Sequence, residues 1–218
     1  MPRPKAGYAL PDGTKVPGVT TILNRFKDSG GLIYWAWQQG RDGKDFREEK
    51  QAAADAGSLA HALVEATLRG EPLDALLAGA PEAIRPLAVQ GWENWQQWRA
   101  QTRMEIIPWE KPLVCTCYAF AGTPDAILQS GDDYALGDWK TGNAIYVETL
   151  LQLAAYQHLL NQHAGLPYRI LGGFHIGRFS KEHGDFSHHY FKELDGAWQM
   201  FVRLREAYDL DKLLKGRV

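Results

Sequence analysis

The sequence is poor in cysteine and has no long apolar run, and each absence excludes a class of protein. Among its 218 residues only Cys115 and Cys117 are cysteines, too few for a disulfide framework or for an iron–sulfur cluster, which requires about four thiolates. Their spacing suits one face of a strand and strains a direct disulfide, so we expect reduced, buried thiols. No apolar segment approaches the roughly eighteen residues of a membrane span, and the N-terminus has no apolar signal core. We therefore expect a cytoplasmic protein that has no membrane partner.

Charge of neither sign is in strong excess. The 24 lysines and arginines nearly balance the 26 aspartates and glutamates, and the formal net charge is -2. This balance argues against a basic protein that coats nucleic acid indiscriminately. An enzyme acting on nucleic acid stays open, because divalent cations would reverse the local field of an acidic site.

The length allows one domain with a full hydrophobic core. We predict a single domain over residues 1–218, with 1–50 as an N-terminal hairpin and helical extension and 193–218 as a C-terminal helix. A long helix is predicted from about Asp45 to Arg69, ended by Gly70. The order of helices and strands that follows indicates an α/β (α+β) fold in which helices cover a mixed sheet.

One stretch places two aspartates and a lysine within otherwise apolar strands. It reads AGTPDAILQSGDDYALGDWKTG and covers residues 121–142. If QSGDD is the turn of a symmetric hairpin, Asp125 lies opposite Asp138, and Lys140 follows on the same face. Trp139 then points to the opposite face, into the core.

Two carboxylates this close repel each other unless a positive group lies between them. Mg²⁺ or Mn²⁺, hard cations that prefer oxygen ligands, meet this requirement. Lys140 would then add a charge that stabilises an anionic transition state or orients a water. From this stretch alone, a cluster of surface ion pairs at a sheet edge is an equal alternative.

Two further positions are candidates for the same site. His61 lies in the apolar segment SLAHALVE and shares a helix face with Glu65. A histidine in such surroundings is more often a core residue than a ligand, and both interpretations stay open. Glu110 lies just upstream of the hairpin and could add a carboxylate, with Glu105 as its competitor.

Gln152 and Tyr156 form an i, i+4 pair on the helix predicted after Lys140. Gln152 interrupts a run of leucine and alanine that would otherwise be core. It is either a buried amide with local partners or a group that orients the lysine or contacts a phosphate.

Together these residues resemble the PD-(D/E)XK nuclease superfamily, in particular its RecB-like exonuclease branch. The opening of the chain also looks like that of phage-type exonucleases and is similar to the mitochondrial genome maintenance exonuclease. The resemblance covers about residues 8–175, and the motifs are specific in combination rather than singly. The cysteine quartet of the iron–sulfur members is missing. The four matching motifs are GSLAH (57–61), GTPDAI (122–127), DWKTG (138–142) and QLAAYQ (152–157).

The resemblance implies a three-layer, restriction-endonuclease-like fold with a central mixed β-sheet flanked by helices. It also implies a metal-dependent nuclease that uses one or two Mg²⁺ or Mn²⁺ ions and no iron–sulfur cluster. Lys140 would be the catalytic lysine, supported by Asp125, Asp138, Gln152 and Tyr156, with Glu110 as the upstream acid. The implied metal ligands are His61, Asp125, Asp138 and the backbone carbonyl of Trp139.

The leading hypothesis is a deoxyribonuclease, an exonuclease acting on DNA ends or single strands. Its partners would be DNA and recombination or replication proteins of a phage or its host, and a phage-encoded enzyme would act in the host cytoplasm. A structure-selective or flap endonuclease on the same fold is the alternative, and a non-catalytic DNA-binding subunit is a further one.

Aromatic and basic residues bear on the substrate. Trp92, Trp95 and Trp98 recur every three residues along one helix, which favours packing against the protein body over stacking on unpaired bases. Trp35 and Trp37 invite the same two interpretations. A group of basic residues would either line a channel for a strand or solvate a loop: Arg41, Lys44, Arg47 and Lys50.

Overall fold

The structure is a computed structural model that describes residues 7–109, 111–163 and 169–217. Glu110, a candidate site residue, lies outside the described residues. None of the helices in the described part is long and apolar enough to cross a membrane. The helices are α1 (Val19–Phe26), α2 (Gly30–Arg41), α3 (Phe46–Arg69), α4 (Asp74–Ala78), α5 (Arg85–Thr102), α6 (Val147–Gln162) and α7 (Asp195–Lys215).

Five strands form the central sheet in the order β3-β6-β7-β8-β9, and two short hairpins, β1-β2 and β4-β5, lie outside it. Strands β7 and β8 run parallel, and the other neighbours in the central sheet are antiparallel. The parallel pair is joined through α6, as a parallel connection requires a crossover. The strands are β1 (Tyr8–Ala9), β2 (Lys15–Val16), β3 (Glu105–Pro108), β4 (Leu113–Cys115), β5 (Phe120–Gly122), β6 (Ala126–Ser130), β7 (Asp133–Lys140), β8 (Phe174–Phe179) and β9 (Phe186–Phe191).

Helices cover both faces of the sheet, because alternate residues of each strand point to opposite sides. Ile127 and Leu136 pack in one buried cluster with residues of α1, α6 and α7. Leu128 and Trp139 pack in a second cluster with residues of α3 and α5. The three-layer mixed α/β architecture expected from the sequence is therefore confirmed.

Helix α3 begins and ends where the sequence predicts. The Asp45 side chain accepts a hydrogen bond from the Arg47 amide at 2.7 Å, which caps the first turn. Gly70 ends the helix in the left-handed region at φ 70°, a conformation that glycine adopts without steric cost. The face that α3 turns toward the protein body is defined by its buried residues, among them Ala60 and Val64, which flank His61.

Candidate active site

The β6–β7 hairpin has the predicted register. Ile127 pairs with Leu136 and Ala126 pairs with Gly137, so Asp125 and Asp138 occupy the next opposing positions along the two strands. The Asp125 carboxylate accepts a hydrogen bond from the Trp139 backbone amide at 2.9 Å, which joins the two strands just beyond the regular ladder.

A cleft of about 510 Å³ opens above this end of the hairpin. It is bounded by α3 on one side and by α6 on the other. Asp138 lies beneath its surface, with only 1% of its side chain exposed. The predicted site residues that line the cleft are His61, Asp125, Trp139, Lys140, Gln152 and Tyr156.

A chain of polar contacts crosses the floor of the cleft and fixes the ammonium group of Lys140. The Lys140 Nζ atom lies 2.5 Å from Asp138 Oδ2 and donates a hydrogen bond to Gln152 Oε1 at 3.0 Å. The Gln152 amide nitrogen in turn donates to Tyr156 Oη at 2.8 Å. Gln152 thus presents its oxygen to the lysine because its nitrogen is engaged by the tyrosine.

Asp138 carries a carboxylate that is unusually short of partners. Both of its oxygens are buried, and within the described residues its partner is Lys140, which forms an ion pair with Oδ2. Burial raises the pKa of Asp138 to about 6, with the Lys140 charge opposing the shift and the Asp125 charge adding to it. A buried carboxylate with so few partners is a suitable ligand for a cation.

His61 and Asp125 respond differently to their surroundings. Burial lowers the pKa of His61 to about 4, against the opposing effect of the Asp125 carboxylate. The imidazole is therefore neutral near pH 7, the state in which a ring nitrogen binds metal. Burial alone would raise the pKa of Asp125, but the charge that His61 carries when protonated, the charge of Lys140 and the Trp139 amide lower it below its ordinary value.

The three side chains predicted to bind the metal, those of His61, Asp125 and Asp138, lie in one region but are too far apart to bind a single ion together. In the part of the chain that the structure describes, ligand atoms of His61, Asp125 and Asp138 do not all lie within 4.8 Å of one another. The ammonium group of Lys140 stands beside Asp138 and neutralises it. An ion bound by all three side chains would require them to move closer together. Glu110, predicted as the upstream acid, lies outside the described residues.

The tryptophan stripe on α5 packs inward, as the pattern favours. Trp95 and Trp98 are buried, and the ring of Trp98 lies edge-to-face with that of Trp139 at 4.9 Å between centroids. The Trp92 indole nitrogen donates to Thr67 Oγ1 at 2.8 Å. This cluster holds the back of β7, so that Asp138 and Lys140 point to the opposite face.

The sequence did not indicate two residues that border the cleft. Tyr8, on the β1–β2 hairpin, lines it and lies 3.4 Å from Thr123 through the two hydroxyl oxygens. Thr141 lines it as well, directly after the lysine. The hairpin itself was predicted, but no spacing in the sequence signals that its tyrosine would meet a residue 115 positions away.

Gly122 permits the close approach of β5 to α6 beneath this site. A Cβ atom at this position would lie 2.5 Å from Cε1 of the buried Tyr156 ring and 3.2 Å from Val19.

We expect Gly122→Ala to reduce the free energy of unfolding by roughly 1–3 kcal/mol and to displace Tyr156 from Gln152. Urea denaturation measures the first effect. Gly196→Ala on α7 is the matched control, because its Cβ would meet nothing within 4 Å, and an equal loss in both variants would contradict the packing argument.

Comparison with known families matches residues 32–179, more than half of the chain, to the model described as PD-(D/E)XK nuclease superfamily. The matched range contains every predicted site residue. No curated protein matches the chain. Among solved structures 19 chains match. One of them is described as "Crystal structure of SSO0001" and has 15% sequence identity to this chain. The match covers 71% of this chain and 72% of that chain, with a TM-score of 0.36. A TM-score this low gives no information about the site.

Proposed function

Because the chain belongs to the PD-(D/E)XK nuclease superfamily, we propose that it is a metal-dependent deoxyribonuclease, and more specifically an exonuclease acting on DNA ends or single strands. The observation that carries the proposal is the cleft lined by His61, Asp125 and Lys140, in which Lys140 pairs with the buried carboxylate of Asp138. Phosphodiester hydrolysis requires a positioned water and neutralisation of charge at phosphorus, and these residue types supply both.

A divalent cation fits the donors of this cleft. Asp138 offers two buried oxygens, one of them paired with Lys140, and His61 offers a neutral imidazole. His61, Asp125, Asp138 and the Trp139 carbonyl would hold the ion, Mg²⁺ or Mn²⁺, with one or two ions in the site. When bound, the ion acts as a Lewis acid on the scissile phosphate and lowers the pKa of a bound water.

Lys140 has the geometry to orient the attacking water. An ammonium group has three N–H donors, and the contacts of Lys140 with Asp138 and Gln152 engage two of them. The third remains for a water or a phosphate oxygen in the cleft, which Lys140 lines. Gln152 and Tyr156 act as positioning residues, because Gln152 accepts from Lys140 and is itself held by Tyr156. Burial raises the pKa of Tyr156, so its phenol stays neutral.

An aromatic surface on α2 supports a single-stranded substrate. The side chains of Tyr34 and Trp37 are exposed and stacked at 5.7 Å between ring centroids, and the Arg41 guanidinium lies 4.9 Å above the Trp37 ring. Trp35 anchors α2 to Phe46 at the start of α3. Exposed aromatic rings beside a cation stack on unpaired bases of any sequence.

The decisive experiment compares a linear strand with a closed circle. We expect the protein with Mn²⁺ to degrade an end-labelled linear single strand and to spare a covalently closed single-stranded circle of the same sequence. A chelator should abolish the reaction. Product lengths on a denaturing gel measure both outcomes, and a linear RNA of the same sequence tests the preference for DNA.

Each other result assigns a different function. Cleavage of the circle would overturn the exonuclease and favour an endonuclease on the same fold. Failure to cleave any substrate, together with binding to DNA, would favour a non-catalytic subunit. Three expectations stay predictions: the cytoplasmic location, the partner proteins of a phage or its host, and the division of the chain into residues 1–50, the domain body and residues 193–218.

A further inference from the structure

Three groups that bind transition metals, two thiols and an imidazole, converge where the β4–β5 hairpin packs against α6. Cys115 ends β4, Cys117 lies in the turn to β5, and His158 lies on α6. The two sulfur atoms are 3.0 Å apart. The His158 Nε2 atom lies 3.6 Å from the Cys115 sulfur and 3.9 Å from the Cys117 sulfur. None of these residues takes part in the proposed hydrolysis.

The spacing of these atoms approaches that of ligands around a tetrahedral ion. Zinc, with Zn–S of about 2.3 Å and Zn–N of about 2.0–2.1 Å, separates a sulfur from a nitrogen ligand by about 3.6 Å and two sulfurs by about 3.7 Å. The distance from His158 Nε2 to the Cys115 sulfur, 3.6 Å, already matches this geometry, and the distance to the Cys117 sulfur, 3.9 Å, is slightly longer. The sulfurs of Cys115 and Cys117 would need to separate by about 0.7 Å, a movement that the exposed Cys117 in its turn can make.

The neighbouring aromatic residues hold the His158 ring in place for this role. Trp198 of α7 stacks on it at 4.1 Å between centroids with an interplanar angle of 13°. Tyr118 meets its edge at 5.4 Å. A ring fixed on two sides loses little freedom when its nitrogen binds an ion, which reduces the cost of binding.

We propose that Cys115, Cys117 and His158 form a second metal site, which binds Zn²⁺ and fastens the β4–β5 hairpin to α6. Two thiolates and an imidazole are the donors that select zinc over the hard cations of the cleft. Binding releases the two thiol protons to the buffer, and the resulting site has no net charge. Three protein ligands leave the fourth position to water.

The position of this site gives it a structural role. Strand β5 leads directly to Thr123 and Asp125, and α6 carries Gln152 and Tyr156, so the ion would connect the two segments that flank the cleft. Because metal bound to the folded chain alone adds its binding free energy to folding, Zn²⁺ should raise the melting temperature.

Cobalt substitution tests the proposal independently of nuclease activity. We expect the reduced, metal-stripped full chain to develop a sulfur-to-cobalt charge-transfer band in the near ultraviolet when Co²⁺ is added, and Zn²⁺ to remove it. The band should disappear in Cys117→Ser. It should persist in Asp125→Asn, which removes a predicted ligand of the cleft, and in His163→Gln, which changes an exposed histidine at the end of the same helix.

Two results would overturn the site. One is a folded wild-type protein with two titratable thiols that shows no thiolate band in the presence of Co²⁺. The other is a band of equal intensity in Cys117→Ser. A parallel melting experiment with Zn²⁺ should show stabilisation of the wild type and of His163→Gln but not of Cys117→Ser; equal stabilisation of all three would place the ion elsewhere.

Discussion

Replacing Lys140 with alanine is expected to reduce DNA hydrolysis by about 10²–10⁴-fold, the usual effect of removing one group that stabilises charge or moves a proton in the transition state. The substitution removes the N–H that we assign to the attacking water or the phosphate. It also leaves Gln152 without the partner that it holds at 3.0 Å. The initial rate of digestion of a labelled linear strand in Mn²⁺ measures the loss.

The same substitution should not weaken metal binding. Lys140 lies 2.5 Å from Asp138, where its charge competes with a cation for the same carboxylate. Calorimetric titration with Mn²⁺ should therefore give an affinity for Lys140→Ala equal to or higher than that of the wild type. Loss of hydrolysis with retained binding separates a catalytic role for the lysine from a structural one.

Lys212→Ala is the matched control, since Lys212 is an exposed lysine on α7, outside the residues that line the cleft. It should digest DNA at the wild-type rate. Equal rates for the wild type and Lys140→Ala would refute the assigned chemistry, whereas a slow Lys212→Ala would show that general loss of positive charge weakens DNA binding.

Local rules were sufficient for the parts of the site that lie within one element. The period of two along a strand fixed the β6–β7 register, because a slip by one residue would turn every apolar side chain to the wrong face. Asp45 and Gly70 fixed the ends of α3, since a cap and a left-handed glycine act on adjacent turns. These rules place Asp125, Asp138 and Lys140 together, whereas His61 joins them only through the resemblance to the nuclease superfamily.

Contacts between distant segments could not be predicted in this way. Cys115 and His158 meet across 43 positions. The expectation of buried thiols is right for Cys115 but wrong for Cys117, which lies exposed in the turn between β4 and β5. The complete burial of Asp138 follows from how closely α6 packs on β7, which depends on the whole set of side chains between them. Alternation along the strand specifies a face but not how deeply that face is covered.

Asp138→Asn is expected to lose metal binding and yet to stabilise the metal-free protein. The folded-state pKa of Asp138 is raised to about 6 from its ordinary 3.8, so the folded chain holds this proton more tightly than the unfolded chain. Ionisation therefore costs stability above about pH 6, and the cost disappears as the pH falls toward 4. Removing the charge should add roughly 1–3 kcal/mol at pH 8, or roughly 2–10 °C in melting temperature, allowing for the lost pairing with Lys140.

Asp125→Asn should have the opposite effect on the metal-free protein, because the pKa of Asp125 is lowered in the folded state. An acid with a lowered pKa stabilises the fold above its unfolded pKa, and that contribution is lost as the pH falls. Melting curves in chelator at pH 8 should thus give a higher melting temperature for Asp138→Asn than for the wild type, and a lower one for Asp125→Asn. The affinity for Mn²⁺ should fall at least about 100-fold in both variants.

A destabilised Asp138→Asn would show that the charge of Lys140 more than offsets the burial of the Asp138 carboxylate. Undiminished Mn²⁺ binding by Asp138→Asn would show that Asp138 is not a metal ligand. Burying its charge destabilises the metal-free fold, and binding of a cation is the reason that we propose for the presence of this charge.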